Sequence, residues 1–168
     1  MKAITLWQPW ATLWVMQIKK FETRSWKTDY RGPIAIHAAA KSLKSIYREV
    51  FPCSDYEYHP SYKAKKQFCD AIKACELDED AFPKGCVIAT AELINCHKIV
   101  LHGGRGMAST DPGWLETENG IYCPDETELL FGNWSKGRYA WEVANVRVLA
   151  EPVPAKGSQR LWEWGGAA

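Results

Sequence analysis

An α+β fold is predicted by three patterns in the sequence. Runs of alternating or continuous apolar residues of strand length occur at 86–95 and 139–149. Apolar stripes at helical spacing occur at 43–51 and 64–75. Clusters of Pro, Gly, Asp and Asn punctuate the chain between them. At 168 residues the chain is long enough for one domain with a sizeable core. The expectation is a single domain over 1–168, with insertions at about 52–84 and 101–134.

The elements follow in order. Ile4 to Trp7 reads as a short strand, and Gln8-Pro9 ends it. Pro9 suits the opening of a helix, because a first-turn residue needs no free N–H. Trp10, Leu13, Trp14 and Ile18 then share one helical face. A strand is expected at about Lys20 to Trp26. Asp29-Tyr-Arg-Gly-Pro33 is a turn by composition, and Ile34 to Ala38 is a strand with Ile34 and Ile36 on one face and His37 on the other. Ser42 is placed to cap a helix carrying Leu43, Ile46, Tyr47, Val50 and Phe51. Ser61 is placed to cap a second helix with the stripe Ala64, Phe68, Ala71, Ile72 and Cys75. Lys63, Lys65 and Lys66 read as its solvated face. Pro83-Lys-Gly85 turns into a strand over Cys86–Asn95. The segment from Pro112 to Asn133 is irregular and acidic, with weak helix potential near Pro124 to Leu130. Gly132 and Gly137 bracket a turn before the strand Tyr139–Leu149, which Pro152 and Pro154 are expected to end. The aromatic tail Gly157–Gly165 is expected to pack back on the domain.

Composition limits the function classes. The net charge is +1, which argues against a general nucleic-acid coat protein. The charge is uneven, however. Lys19, Lys20, Arg24, Lys27 and Arg31 face only Glu22 and Asp29 in one short stretch, while 76–80 and 116–128 are acidic. A local basic patch fits contact with a phosphate-bearing ligand; a dipolar surface without a partner is the alternative. Nine tryptophans are unusual for this length; most are expected in the core, and the excess offers flat faces for stacking. The six cysteines form no C-x-x-C pair, and their scatter suits buried free thiols in a reducing compartment. Cys96-His97 is the one adjacent ligand-type pair, and no metal or cofactor is expected. Gly103, Gly104 and Gly106 match neither a P-loop nor a dinucleotide fingerprint, so His102–Gly113 reads as a surface loop. The start of the chain lacks a signal-peptide pattern, and no apolar run reaches membrane-spanning length, so a soluble cytoplasmic protein with no membrane partner is expected.

The stretch from Gln17 to Trp26 carries the chemistry. Read as a strand, it places Lys20, Glu22, Arg24 and Trp26 on one face and Phe21, Thr23 and Ser25 on the other. A carboxylate and a guanidinium two residues apart pair with each other or converge on a polar ligand. A salt-bridged surface strand is the alternative. The stretch resembles the signature G-x-K-x-x-E-x-R of the ASCH family: Lys19, Glu22 and Arg24 match it, and Gln17 replaces the glycine. Thr5-Leu-Trp-Gln-Pro-Trp10, Arg31-Gly-Pro-Ile-Ala-Ile-His-Ala38, Gly137-Arg-Tyr-Ala-Trp-Glu142 and Leu161-Trp-Glu-Trp164 also resemble ASCH segments, in the same order.

The resemblance implies a PUA-like fold, a small mixed β-barrel with flanking helices. Relatives in this superfamily bind RNA, and several hold a single base in a pocket. By that resemblance Lys19, Glu22 and Arg24 line a cleft, with Thr5, Pro9 and Trp10 as its neighbouring wall. Arg24 suits a phosphate or a base acceptor, Glu22 an exocyclic amine, and Trp10 or Trp26 a stacked base. The expected partner is RNA or another single-stranded nucleic acid, or a modified nucleoside. Some small ASCH proteins are amidohydrolases on N(4)-acetylcytidine that use a lysine, a threonine and a glutamate. Lys19 matches the lysine, Glu22 stands where the threonine falls, and Glu142 or Glu92 is available for the glutamate. In that alternative, or in a ribonuclease, Lys19 and Glu22 are the catalytic pair.

Overall fold

A computed structural model describes residues 1–58, 60–100, 113–117 and 120–166. The elements are β1 (Lys2–Leu6), α1 (Trp10–Val15), β2 (Phe21–Arg24), β3 (Gly32–Ala38), α2 (Leu43–Val50), α3 (Pro60–Ala74), β4 (Cys86–Val100), β5 (Trp114–Thr117), β6 (Gly120–Tyr122), α4 (Glu126–Phe131), β7 (Tyr139–Pro154) and β8 (Leu161–Glu163). This is the expected α+β class. The chain groups into two compact units. The first comprises residues 1–12, 35–89 and 149–168, and the second 13–34 and 90–148. The long strands β4 and β7 contribute to both.

In the first unit the strands run in the order β4-β3-β1-β8. The aromatic tail packs back as expected: β8 lies antiparallel to β1, with Lys2 opposite Glu163 and Ile4 opposite Leu161. A core of Ala3, Ala35, Val87 and Trp164 closes over these strands, joined by Leu149 and Val153. Ser42 caps α2 as its sequence suggests, accepting a hydrogen bond from Ser45 N–H. Helix α3 begins at Pro60, one residue before the expected cap at Ser61. Phe68 of α3 gathers Trp10, Tyr47 and Phe51 at centroid distances of 5.3, 6.1 and 5.4 Å, which accounts for the apolar stripes on both helices. Tyr47 also donates to Glu79 at 2.7 Å; its phenol is pushed well above the ordinary range, chiefly by burial.

In the second unit the order is β2-β7-β4, with the hairpin β5-β6 attached to β4. Phe21, Ile99, Leu115, Trp134 and Ala140 form its core, with Tyr122 packed against them. Two expectations change here. The segment after 112 is not wholly irregular: Leu115 and Tyr122 pair across β5 and β6, and Ile99 pairs with Leu115. Strand length is too short there for alternation to be read. β7 also passes through Pro152, one of the two expected stops, and ends at Pro154, the other. Because β2 pairs only with residues 139–142 of β7, the far part of β7 has one neighbouring strand. A proline, which has no N–H, costs no ladder bond where its nitrogen faces a side without a strand. The glycine-rich loop at 103–106 lies outside the described residues.

All six cysteines are free, but only Cys86 and Cys96 are buried; Cys53 and Cys123 are exposed, so the expectation of uniformly buried thiols is corrected. Among the described residues no helix is long and apolar enough to cross a membrane.

One close approach in the first unit is diagnostic. His37 turns Nε2 to Ala155 O at 3.0 Å, and its ring meets Trp162 edge-on at 5.7 Å. A Cβ on Gly157 would lie 2.4 Å from His37 Cε1 and 2.7 Å from Thr5 Oγ1. Gly157→Ala is therefore expected to cost about 1–3 kcal/mol through overpacking, measured by urea denaturation. An unchanged midpoint would show that the tail yields without strain.

Candidate functional site

The site is built on the α1–β2 connection of the second unit. After α1 the chain reverses at Gln17, whose φ is +57°. This is the left-handed conformation that glycine adopts without steric cost. Here it is held by three bonds: Gln17 N–H to Trp14 O at 3.1 Å, the Gln17 side-chain amide to the same oxygen at 2.7 Å, and Lys19 N–H to Leu13 O at 3.1 Å. The glutamine thus adopts a turn conformation that a glycine would take without steric cost, and its side chain helps to hold it.

That reversal drives Lys19 inward. Lys19 is fully buried, and its ammonium donates to Phe21 O and to Glu22 Oε2, the latter at 2.9 Å. The other carboxylate oxygen, Glu22 Oε1, lies 3.3 Å from Arg24 Nε. The side chains of Lys19 and Glu22 are 1% and 9% exposed and that of Arg24 is 26% exposed. The surface salt-bridge reading of this strand is therefore overturned for Lys19 and Glu22. They are an interior ion pair, extended towards solvent by the partly exposed Arg24.

Strand β2 fixes the rest. Glu22 lies opposite Trp141 and Arg24 opposite Tyr139, while Phe21 lies opposite Glu142. The strand covers Phe21–Arg24, shorter than the expected Lys20–Trp26. Trp26, just beyond it and half-buried, stands edge-on to the buried Trp141 at 4.6 Å, and its carbonyl accepts from Trp141 Nε1 at 3.4 Å. Lys19, Glu22, Arg24 and Trp26 thus gather in the second unit. Thr5, Pro9 and Trp10 belong to the first. There Thr5 Oγ1 accepts from Trp162 Nε1 at 3.1 Å, Pro9 is buried, and Trp10 packs on Phe68.

Sequence reasoning missed Glu128. It is the third residue of α4, whose cap Asp125 accepts from Glu128 N–H at 2.9 Å. The Asp-x-x-Glu spacing at 125–128 was a readable capping pattern, but the side chain does not return to its own cap. Glu128 Oε1 instead accepts from Lys20 N–H at 2.5 Å and Phe21 N–H at 3.3 Å. The acidic middle segment therefore supplies the carboxylate that receives the first amides of the motif strand. Burial pushes the Glu128 carboxyl above its ordinary range, opposed by the charge of Lys19 and by the two amides. Burial, reinforced by Glu128, also pushes the Tyr122 phenol up to about 12. Helix α4 is strapped down further by Trp134 Nε1 donating to Glu128 O at 2.9 Å and by Asn133 N–H donating to Thr23 Oγ1 at 2.9 Å.

The carboxylates considered for chemistry have other partners. Glu142 Oε2 pairs with His97 Nε2 at 2.7 Å, and Glu92 accepts from Asn145 at 2.8 Å. Cys96 and His97 are consecutive in β4, so their side chains leave opposite faces. Among the described residues no group of three or more His, Cys, Asp or Glu is arranged around a common metal position.

The sequence matches the ASCH domain over residues 4–153, and the chain belongs to the ASCH family. Its α+β architecture is that of the PUA-like class to which this family belongs. Among curated proteins it is similar to activating signal cointegrator 1 of Homo sapiens, 36% identical over 93 residues, and to activating signal cointegrator 1 of Mus musculus, 32% identical over 93 residues. Those matches cover 55% of this chain and 14% of each relative, so the chain corresponds to a small part of those proteins.

Two outcomes follow from the buried charges. Lys19→Met strands Glu22 in the interior with Arg24 alone, and is expected to lower the unfolding free energy by about 3–5 kcal/mol. Adding Glu22→Gln should recover part of that loss in a double-mutant cycle by chemical denaturation; strictly additive losses would contradict a coupled pair. For Glu128 the folded pKa lies above the unfolded value of about 4.3. Its stabilising contribution is therefore complete below that value and is lost as pH rises through the folded pKa. The stability of Glu128→Gln relative to wild type should accordingly improve as pH rises above about 4.3. A difference independent of pH would contradict this.

Proposed function

We propose that this chain binds single-stranded RNA and recognises a base at the face formed by Lys19, Glu22 and Arg24. The carrying observation is the graded burial of that ion chain, from interior Lys19 and Glu22 to partly exposed Arg24. Membership of the ASCH family supports the same reading. An interior carboxylate whose two oxygens are already directed by Lys19 and Arg24 is a preorganised acceptor for a base amine. Arg24 supplies charge at the solvent side, where a phosphate or a base acceptor edge arrives. The half-buried Trp26, fixed by Trp141, supplies an aromatic surface close to the same strand.

Binding is favoured over hydrolysis by the state of Lys19. Its ammonium is committed to Phe21 O and Glu22 and has no solvent exposure. A lysine that steadies an oxyanion must present a donor to the reacting group. Two of the three donors here are directed to Phe21 O and Glu22, inside the protein.

The test pairs affinity with product analysis. A fluorescent single-stranded RNA of mixed sequence should bind the wild type with an affinity that falls as salt rises. Arg24→Gln should weaken binding about tenfold and reduce the salt slope by about one. The same protein incubated with RNA and with N(4)-acetylcytidine should leave both intact by mass spectrometry. Deacylation or strand scission by the wild type and not by Lys19→Ala would replace the binding reading with a catalytic one.

A further inference from the structure

Arg138 is a cation that the face described above leaves without a role. Its backbone is fixed at the head of β7: Arg138 N–H donates to Ser135 O at 3.3 Å, Arg138 O accepts from Ile99 N–H at 2.9 Å, and Gly137 N–H donates to Ile99 O at 3.0 Å. Gly137 has a φ of +85°, which sets the turn into this position. The side chain lies along β2, because Arg138 Nη2 donates to Thr23 O at 3.2 Å. Thr23 is the neighbour of Arg24, and Arg24 pairs in register with Tyr139, the neighbour of Arg138. Two guanidiniums therefore stand at the same end of the β2–β7 ladder.

The electrostatics of this end are unbalanced. Arg138 is depressed below the usual guanidinium range, first by burial; the charge of Glu22 opposes that effect and the charge of Arg24 adds to it. Glu22 already pairs with Lys19 and Arg24. Both Glu22 oxygens are thus engaged, and Arg138 adds a further positive charge at this end of the ladder. Its Nε–H is buried and has no acceptor among the described residues. A buried donor without an acceptor and a repelled neighbouring charge both weigh against the folded state. An apolar side chain would fill the same position without either cost. An anion with several oxygens removes both, since the Nε and Nη edge of a guanidinium takes two oxygens of one group side by side.

We propose that Arg138 and Arg24 form a phosphate subsite at the end of the Lys19–Glu22 face, so that the ligand is a nucleotide or a phosphodiester strand and not a free nucleoside. The choice of phosphate among oxyanions rests on the nucleic-acid reading above. In this arrangement Arg24 serves both the base-recognising carboxylate and the phosphate, and Arg138 serves the phosphate alone. The distance between base and phosphate contacts is then set by the rigid β2–β7 register.

The test measures tryptophan fluorescence of wild type, Arg138→Gln and Arg138→Lys, with circular dichroism to establish that each is folded. The probes are the four ribonucleosides, their 5′-monophosphates, a 5′-hydroxyl RNA pentamer and inorganic phosphate. The wild type should bind the monophosphates or the pentamer at least tenfold more tightly than the nucleosides. Arg138→Gln should remove most of that margin, lower the salt slope by about one and leave nucleoside affinity within about twofold. Arg138→Lys should keep the salt slope and lose part of the margin, because an ammonium supplies the charge without the fork. A margin confined to the monophosphates identifies a terminal phosphate; one shared by the pentamer identifies a backbone phosphodiester. An unchanged margin in Arg138→Gln overturns the subsite and leaves RNA binding standing. Arg138-dependent binding of inorganic phosphate without any preference for RNA or nucleosides keeps the subsite and overturns the base-recognition reading. Absence of binding to every probe by the wild type overturns both.

Discussion

The second unit is organised around a buried positive charge. The Lys19 ammonium is buried, so the chain must supply acceptors, and it does so from Phe21 O and Glu22. This requirement fixes the path of residues 17–22. The chain must turn back sharply after α1 to bring Lys19 inward, and β2 must start within reach of the ammonium. Removing a charge from water is expensive unless its partners are already oriented. The carboxylate of Glu22 is therefore held in a defined direction, one oxygen by Lys19 and the other by Arg24.

Around that pair each neighbouring element is constrained in turn. Glu128 receives the first two amides of the motif strand, and α4 is in turn tied to Trp134 and, through Asn133, to Thr23. Phe21, pointing away from Glu22, brings together Tyr122, Trp134 and His97 at 4.9–5.9 Å. One face of a four-residue strand carries charge and the other carries aromatic packing. Strand alternation separates the two chemistries, and a slip of one residue would exchange them.

Much of this was legible in the residues. The α+β class, the capped helix at Leu43–Val50, the strands at Cys86 and Tyr139 and the returning tail all follow from period, capping and composition. The association of Lys19, Glu22 and Arg24 was legible from their spacing, since neighbours in sequence need no knowledge of the fold to meet. Glu128 was not legible, because it reaches residues more than a hundred positions away and its Asp-x-x-Glu pattern has a sufficient local explanation as a cap. Arg138 was unread for the same reason: its partner Thr23 is 115 residues distant. The hairpin at 114–122 is too short for a period to emerge, and β7 passes through Pro152 before it ends at Pro154. Burial was the other hidden quantity. Alternating charges look alike in sequence whether a strand is wet or dry.

The turn at Gln17 bears on how the ASCH signature itself is to be understood. With φ at +57° and its amide bonded to Trp14 O, this glutamine fulfils a backbone demand that the pattern records as glycine. In this chain the first position of G-x-K-x-x-E-x-R thus carries a dihedral angle, whereas the Lys, Glu and Arg positions carry the buried and half-buried charges. A search that weights all four positions alike would pass over chains in which a polar residue meets the same geometric demand, although their lysine, glutamate and arginine are intact.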